Sequence, residues 1–191
     1  GQTKYLMERL FREYDKKQNR LICCRFGNVA WSNGSVLPFW LGLAKENKTL
    51  PVTSETMTRL IFTSKEAADL ISYSIKLANS ESKFFILSKK MKKVNMLKMA
   101  KVISEDVEIV GLRPGEIEDE DLISDEEVFF TKEIDNNYLI ITPDNQVEEK
   151  LRFAEPISSR NAPEMSLQEM KEILENLDSE KRSSYILEKD Y

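Results

Sequence analysis

Leu21-Ile22-Cys23-Cys24-Arg25-Phe26, closed by Gly27-Asn28, is the stretch whose reading decides the fold. It is a short, nearly continuous apolar run. That pattern belongs to a parallel strand covered on both faces rather than to a half-exposed one. Gly27-Asn28 ends the run and opens an irregular segment through Ser35. Upstream, residues 3–17 read as a helix, with Leu6, Met7, Leu10, Phe11 and Tyr14 on one apolar face and charges opposite. Downstream, Pro38 suits the first turn of a helix reaching about Glu46. Strands follow near Leu50–Thr53 and Arg59–Phe62. Thr63 and Glu66 have capping-box spacing and open a helix whose inward face reads as Ala67, Leu70, Ile71 and Ile75. A strand over 83–87, a helix over 96–103 and a strand over 107–112 come next. Strand and helix patterns alternate, so the class is α/β.

The last third reads differently. Residues 116–127 are strongly acidic and read as a solvated surface segment. Residues 128–142 suggest a hairpin turning at Asp135-Asn136-Asn137. Ser166 and Glu169 form a second capping box, before a helix with Leu167, Met170, Ile173, Leu174 and Leu177 on one face. Residues 179–191 read as a polar tail or frayed helix.

Composition narrows the function. The chain has 191 residues, enough for a core of its own, and a formal net charge of -5 with no long basic run. A nucleic-acid partner therefore has no electrostatic support. No apolar stretch approaches the ~20 residues of a membrane span, so no membrane contact is expected. There is no histidine, which excludes every mechanism needing a His of this chain as base or ligand. The two cysteines, Cys23 and Cys24, are adjacent. Neighbours on a strand point to opposite faces, so they read as two reduced core thiols in a cytoplasmic protein, and no metal site is expected. A doubly wound sheet opens with a strand, a glycine-rich turn and a helix. This chain opens in a helix and has six glycines in total. Either it is an unusual small α/β domain or its first half is missing.

Several motifs carry a resemblance. Gly1-Gln2-Thr3-Lys4 resembles the end of the Tyr-x-x-x-Lys helix of short-chain dehydrogenases/reductases. Arg25-Phe26-Gly27-Asn28-Val29 and Ser32-Asn33-Gly34-Ser35-Val36-Leu37-Pro38 resemble two segments of the polysaccharide-biosynthesis branch of the extended members. Met57-Thr58-Arg59, Arg113-Pro114-Gly115-Glu116 and the segment around Ile157-Ser158-Ser159-Arg160-Asn161-Ala162 follow in register. Within that branch the sequence resembles UDP-N-acetylglucosamine 4,6-dehydratases, including the type that inverts C5.

The resemblance implies the second half of an extended Rossmann-type fold with the C-terminal substrate-binding subdomain. Residues 1–36 would end the NAD(P)-binding part. Residues 37–191 would be mainly the UDP-sugar-binding subdomain, with some segments returning to the Rossmann sheet. Lys4 would be the catalytic lysine, lowering the pKa of a phenol four residues earlier, immediately before Gly1. Lys4, Phe26, Gly27, Asn28 and Val29 would face NAD or NADP. Asn28, Ser35, Val36, Pro38, Arg59, Arg113 and Glu116 would hold the UDP-sugar. The arginines would donate paired bonds to phosphate, Glu116 would accept from ribose hydroxyls, and Asn28 would donate its amide to a phosphate or sugar oxygen. Trp31 and Asn33 occupy variable loop positions and would bear on which sugar fits.

The chemistry implied is hydride transfer from sugar C4, loss of water across C5 and C6, and hydride return to C6. Lacking the glycine-rich half, the isolated chain is expected to be inactive. A homo-oligomer is implied by resemblance only. Relatives continue Arg-Pro-Gly-Glu with Lys-x-His-Glu, where this chain has Ile117-Glu118-Asp119-Glu120, so a basic residue and a histidine are replaced. A 4-epimerase or 4-keto reductase of the same fold remains open. So does a non-catalytic sugar-nucleotide-binding module.

Overall fold

The computed structural model describes residues 2–15, 21–80, 84–141 and 155–175. The run that decided the fold becomes β1 (Cys23–Arg25), shorter than the apolar stretch. It pairs in parallel with β5 (Ile86–Lys89), with Cys23 opposite Ile86 and Arg25 opposite Ser88. β5 continues antiparallel into β10 (Asn137–Ile140), and β10 into β9 (Thr131–Ile134), giving the order β1-β5-β10-β9.

Both faces of this sheet are covered, as the apolar run requires. Cys23, Ile86 and Ile140 pack on one side with Leu60, Phe62 and Leu122. Leu87 and Leu139 pack on the other with Leu70 of α3 (Ser64–Ala78), and Cys24 borders them. The two cysteines thus serve opposite faces, and both are free thiols. Burial, helped by Glu8, pushes the Cys23 thiol up to about 12 and burial raises Cys24 as well, so neither is a thiolate at neutral pH.

Three small sheets complete the architecture. β2 (Asn28–Val29) lies parallel to β4 (Thr58–Phe62), which pairs antiparallel with β6 (Lys92–Asn95). β3 (Leu50–Val52) lies parallel to β7 (Val107–Ile109), and β8 (Asp121–Ile123) pairs antiparallel with β11 (Ile157–Ser158). β6 has a single apolar residue, Val94, which is why no strand pattern shows there; pairing with β4 buries Val94 completely. The largest apolar cluster gathers α2 (Val36–Lys45), α4 (Met96–Ile103) and α5 (Leu167–Glu175) around Trp31, Leu37, Trp40, Leu50, Met99 and Met170.

Local signals hold where they rest on backbone chemistry. Thr63 caps α3, accepting from Glu66 N at 3.2 Å while Glu66 accepts from Thr63 N at 2.8 Å. Ser166 and Glu169 do the same for α5. The hairpin turns on Asp135 and Asn136, both left-handed at φ 42° and 62°, as a two-residue turn requires.

Three expectations are corrected. On α3, Ile71 and Ile75 are 43% and 59% exposed, and the packed face is Leu70, Tyr73, Ser74 and Leu77. Buried Ser74 is tolerated because its hydroxyl donates to the Ile71 carbonyl at 2.7 Å. On α1 (Gln2–Asp15), Leu6, Met7, Leu10, Phe11 and Tyr14 are 39–57% exposed, so the apolar stripe is not part of a buried core among the described residues. The acidic segment is not simply solvated: it contains β8, with Leu122 and Ile123 buried. Residues 16–17 of the first helix, Lys83, Thr142, Leu177 and the tail at 179–191 lie outside the described residues.

Candidate nucleotide-sugar site

One cavity of about 610 Å3 collects every residue expected to hold the sugar nucleotide: Asn28, Ser35, Val36, Pro38, Arg59, Arg113 and Glu116. They come from four separate stretches of chain. β2 supplies Asn28 and Val29. The turn before α2, with Gly34 left-handed at φ 75°, supplies Ser35, and the helix supplies Val36 and Pro38. β4 supplies Arg59. A tight turn after β7 supplies Arg113 and Glu116.

That last turn is built by its sequence. Pro114 fixes the first corner and Gly115, at φ 82°, the second. Glu116 N donates to the Arg113 carbonyl at 3.0 Å, and Arg113 N donates back to Glu116 Oε2 at 3.1 Å. The exposed Arg113 side chain stands at the cavity edge.

Arg59 and Asn28 are already engaged. Arg59 Nη1 donates to the carbonyls of Thr58 and Glu118 at 2.8 and 2.9 Å, and Nη2 donates to Ile117 at 2.9 Å. Its Nε faces Glu120 at 3.4 Å. Asn28 Nδ2 donates to Leu60 O at 3.2 Å and to Glu120 Oε2 at 2.7 Å. The segment that departs from the relatives' pattern is therefore what these two residues hold. Its own side chains are bound in turn. Glu118 accepts from the Ser54 and Thr56 hydroxyls, which lower its pKa. Asp119 accepts from Thr58 Oγ1 at 2.7 Å and Arg160 Nε at 3.0 Å, and its carboxyl is likewise held low, chiefly by Thr58. No periodicity in the sequence foretells the partnerships with residues 117–120, because each joins positions far apart.

Lys4 and Phe26 lie elsewhere, on a second cavity of about 630 Å3 shared with Glu8, Phe11, Cys23, Arg25 and Leu122. The residues expected to face a dinucleotide are thus divided. Phe26 opens on the second cavity, and Asn28 and Val29 open on the first, with Gly27 between them. Gly27 is required by packing: a Cβ there would meet Leu60 O at 2.6 Å and Met91 Sδ at 2.7 Å.

Arg25 is the residue that sequence reading left without a role. All five guanidinium N–H groups are used. Nε and Nη2 take Glu8 at 3.0 and 2.6 Å, Nη1 and Nη2 take Glu127 at 2.9 and 2.8 Å, and Nη1 also reaches Leu122 O at 2.6 Å. This raises the Arg25 pKa and, against the opposing effect of burial, holds Glu127 below the usual carboxylate range. The network ties α1, which carries Lys4, to β1.

Trp31 does not line the sugar cavity. It is 7% exposed and belongs to the apolar cluster of α2, α4 and α5. Among the described residues no helix is long and apolar enough to cross a membrane.

The chain is similar to UDP-glucose 4-epimerases of Rickettsia bellii and Rickettsia felis, each 28% identical over 93% of this chain and 57% of the relative. That of Rickettsia prowazekii is 27% identical over the same shares. Among solved structures, Pen from Bacillus thuringiensis superposes with a TM-score of 0.79 at 26% identity, over 92% of this chain and 57% of that one. The chain thus spans a little over half the length of these relatives. The family model for polysaccharide biosynthesis proteins matches residues 1–142. With most of its length inside that match, and with the expected α/β fold in place, the chain belongs to the polysaccharide biosynthesis protein family, a branch of the extended short-chain dehydrogenases/reductases.

Proposed function

We propose that the protein carrying this chain is an NAD(P)-dependent enzyme that modifies a UDP-sugar, and that this chain supplies most of the UDP-sugar site. The observation that carries the reading is the convergence of Asn28, Ser35, Val36, Pro38, Arg59, Arg113 and Glu116 on one cavity. Arg113 at the edge is suited to paired bonds with a diphosphate. Arg59 and Asn28 act first on the protein, fixing the 117–120 segment that backs the cavity. In this reading residues 1–36 end the cofactor part, and residues 37–191 form mainly the sugar-nucleotide part, with some segments returning to the sheet of β1.

A bound nicotinamide supplies reversible hydride acceptance. Lys4 and Phe26 fit its neighbourhood, because they share an open cavity beside β1 and Lys4 brings an exposed positive charge there. Lys4 holds that charge on the α1 face tied down by Arg25. Asn28 and Val29 continue the same segment into the sugar cavity, which brings cofactor and sugar sides within a few residues of each other.

The reaction we favour is 4,6-dehydration of UDP-N-acetylglucosamine or a close UDP-sugar, with C5 inversion as a variant, on the strength of the registered motifs. The 4-epimerase reading is favoured by the names of the Rickettsia relatives. Both begin with oxidation at C4. Incubating the full-length gene product with UDP-N-acetylglucosamine and UDP-glucose separates them by mass, since only a dehydratase loses water. Calorimetry with UDP tests the site itself. Saturable binding lost in Arg113→Ala supports the reading, and binding that is indifferent to Arg113 removes it.

A further inference from the structure

The turn that feeds the sugar cavity is anchored from behind. Ala30, Gly34 and Ser35 line the cavity, while Trp31, between Ala30 and Gly34, is 7% exposed and belongs to the apolar cluster that includes Leu37, Met57, Met170 and Ile173. Its indole Nε1 donates to the Ile173 carbonyl at 2.8 Å. Ile173 belongs to α5, so this one bond joins the cavity turn to that helix. Trp31 also sits at φ 65°, the left-handed region that a bulky residue adopts only when its surroundings impose it. The strain is held next to the Ser32–Ser35 turn, which is closed by Ser35 N donating to Ser32 O at 3.0 Å. Pocket-lining backbone, a strained aromatic and the end of α5 are therefore one mechanical unit.

We infer that Trp31 is a positioning residue: through its bond to Ile173 it lets α5 set where the Ser32–Ser35 turn stands, and so sets the affinity for the nucleotide sugar without touching it. The inference rests on the proposed sugar-nucleotide reading of the cavity. What points beyond packing is the place of the φ 65° residue, between the cavity-lining Ala30 and Gly34, with its single donor tied to α5.

The test uses the full-length gene product and UDP. Trp31→Phe keeps the ring and removes only the donor. UDP binding is expected to weaken about fivefold, the size of one neutral hydrogen bond. KM for the sugar nucleotide should rise in parallel and kcat should stay unchanged. Amide hydrogen exchange should quicken at Ser32–Ser35 and at the end of α5 only. Wild-type UDP affinity in Trp31→Phe, with nothing but a lowered Tm, overturns the inference and leaves the site reading intact. Absence of UDP binding to the wild-type protein overturns both. Should Trp31→Phe fail to fold, the wild-type protein still decides. Binding and positioning are reciprocal, so UDP must slow exchange at 171–175 as well as at Ser32–Ser35, and protection confined to the cavity lining overturns the inference.

Discussion

Three residues of the site separate contact from support. Arg113 is exposed on a turn held by backbone bonds, so Arg113→Ala should leave the unfolding midpoint in urea where it is. UDP affinity should fall by roughly ten- to a hundredfold, as for the loss of a charge-assisted pair. Arg59→Ala should do the opposite first. It strands the carbonyls of Thr58, Ile117 and Glu118 and releases Glu120, so stability should drop by about 2 kcal/mol, read by urea unfolding, before any affinity is measured. Gly27→Ala places a methyl against Leu60 O and Met91 Sδ and should cost about 1–3 kcal/mol by the same measurement. The sequence marks all three positions equally. Only the partners in space distinguish a residue that faces the ligand from one that braces the wall behind it.

Elements were legible where local chemistry defines them. The caps at Thr63–Glu66 and Ser166–Glu169 and the Asp135-Asn136 turn depend on neighbours in sequence, and they stand as read. Thr63→Ala should therefore destabilise by ~1 kcal/mol in thermal unfolding. The rotation of a helix about its axis is not local. α3 turns Leu70, Tyr73 and Leu77 inward and leaves Ile71 and Ile75 outside, because the sheet β1-β5-β10 selects which stripe it accepts. β6 was hidden for a related reason, since pairing with β4 rather than alternation makes it a strand.

The joint between α1 and β1 gives a pH-dependent prediction at the same scale. Glu127 is held below its ordinary range by Arg25, so it contributes stability above the unfolded carboxylate value of about 4.3 and loses it as pH falls through the lower folded value. In Glu127→Gln this acid-dependent part should vanish. Unfolding monitored from pH 6 down to pH 3 should show a flatter dependence than in the wild type. At neutral pH the variant should be weaker by about 3 kcal/mol, because Arg25 would be left half-paired in a mostly buried site.

At the scale of the molecule, the family and the α/β class were legible in the sequence because both are written in order and spacing. The motifs in register along the chain group Asn28, Ser35, Val36, Pro38, Arg59, Arg113 and Glu116, and all seven line one cavity. The apolar run at 21–26 likewise required a strand covered on both faces, since a stretch without polar alternation has no face to give to water. What only the tertiary structure decided is the division of labour inside the site: that Asn28 and Arg59 grip the 117–120 segment, that Arg25 locks α1, and that Trp31 points away from the sugar cavity into the end of α5. The physical reason is distance along the chain. Each of these bonds joins residues at least 17 positions apart, so neither periodicity nor capping chemistry encodes it, and it exists only once packing has brought the two ends together.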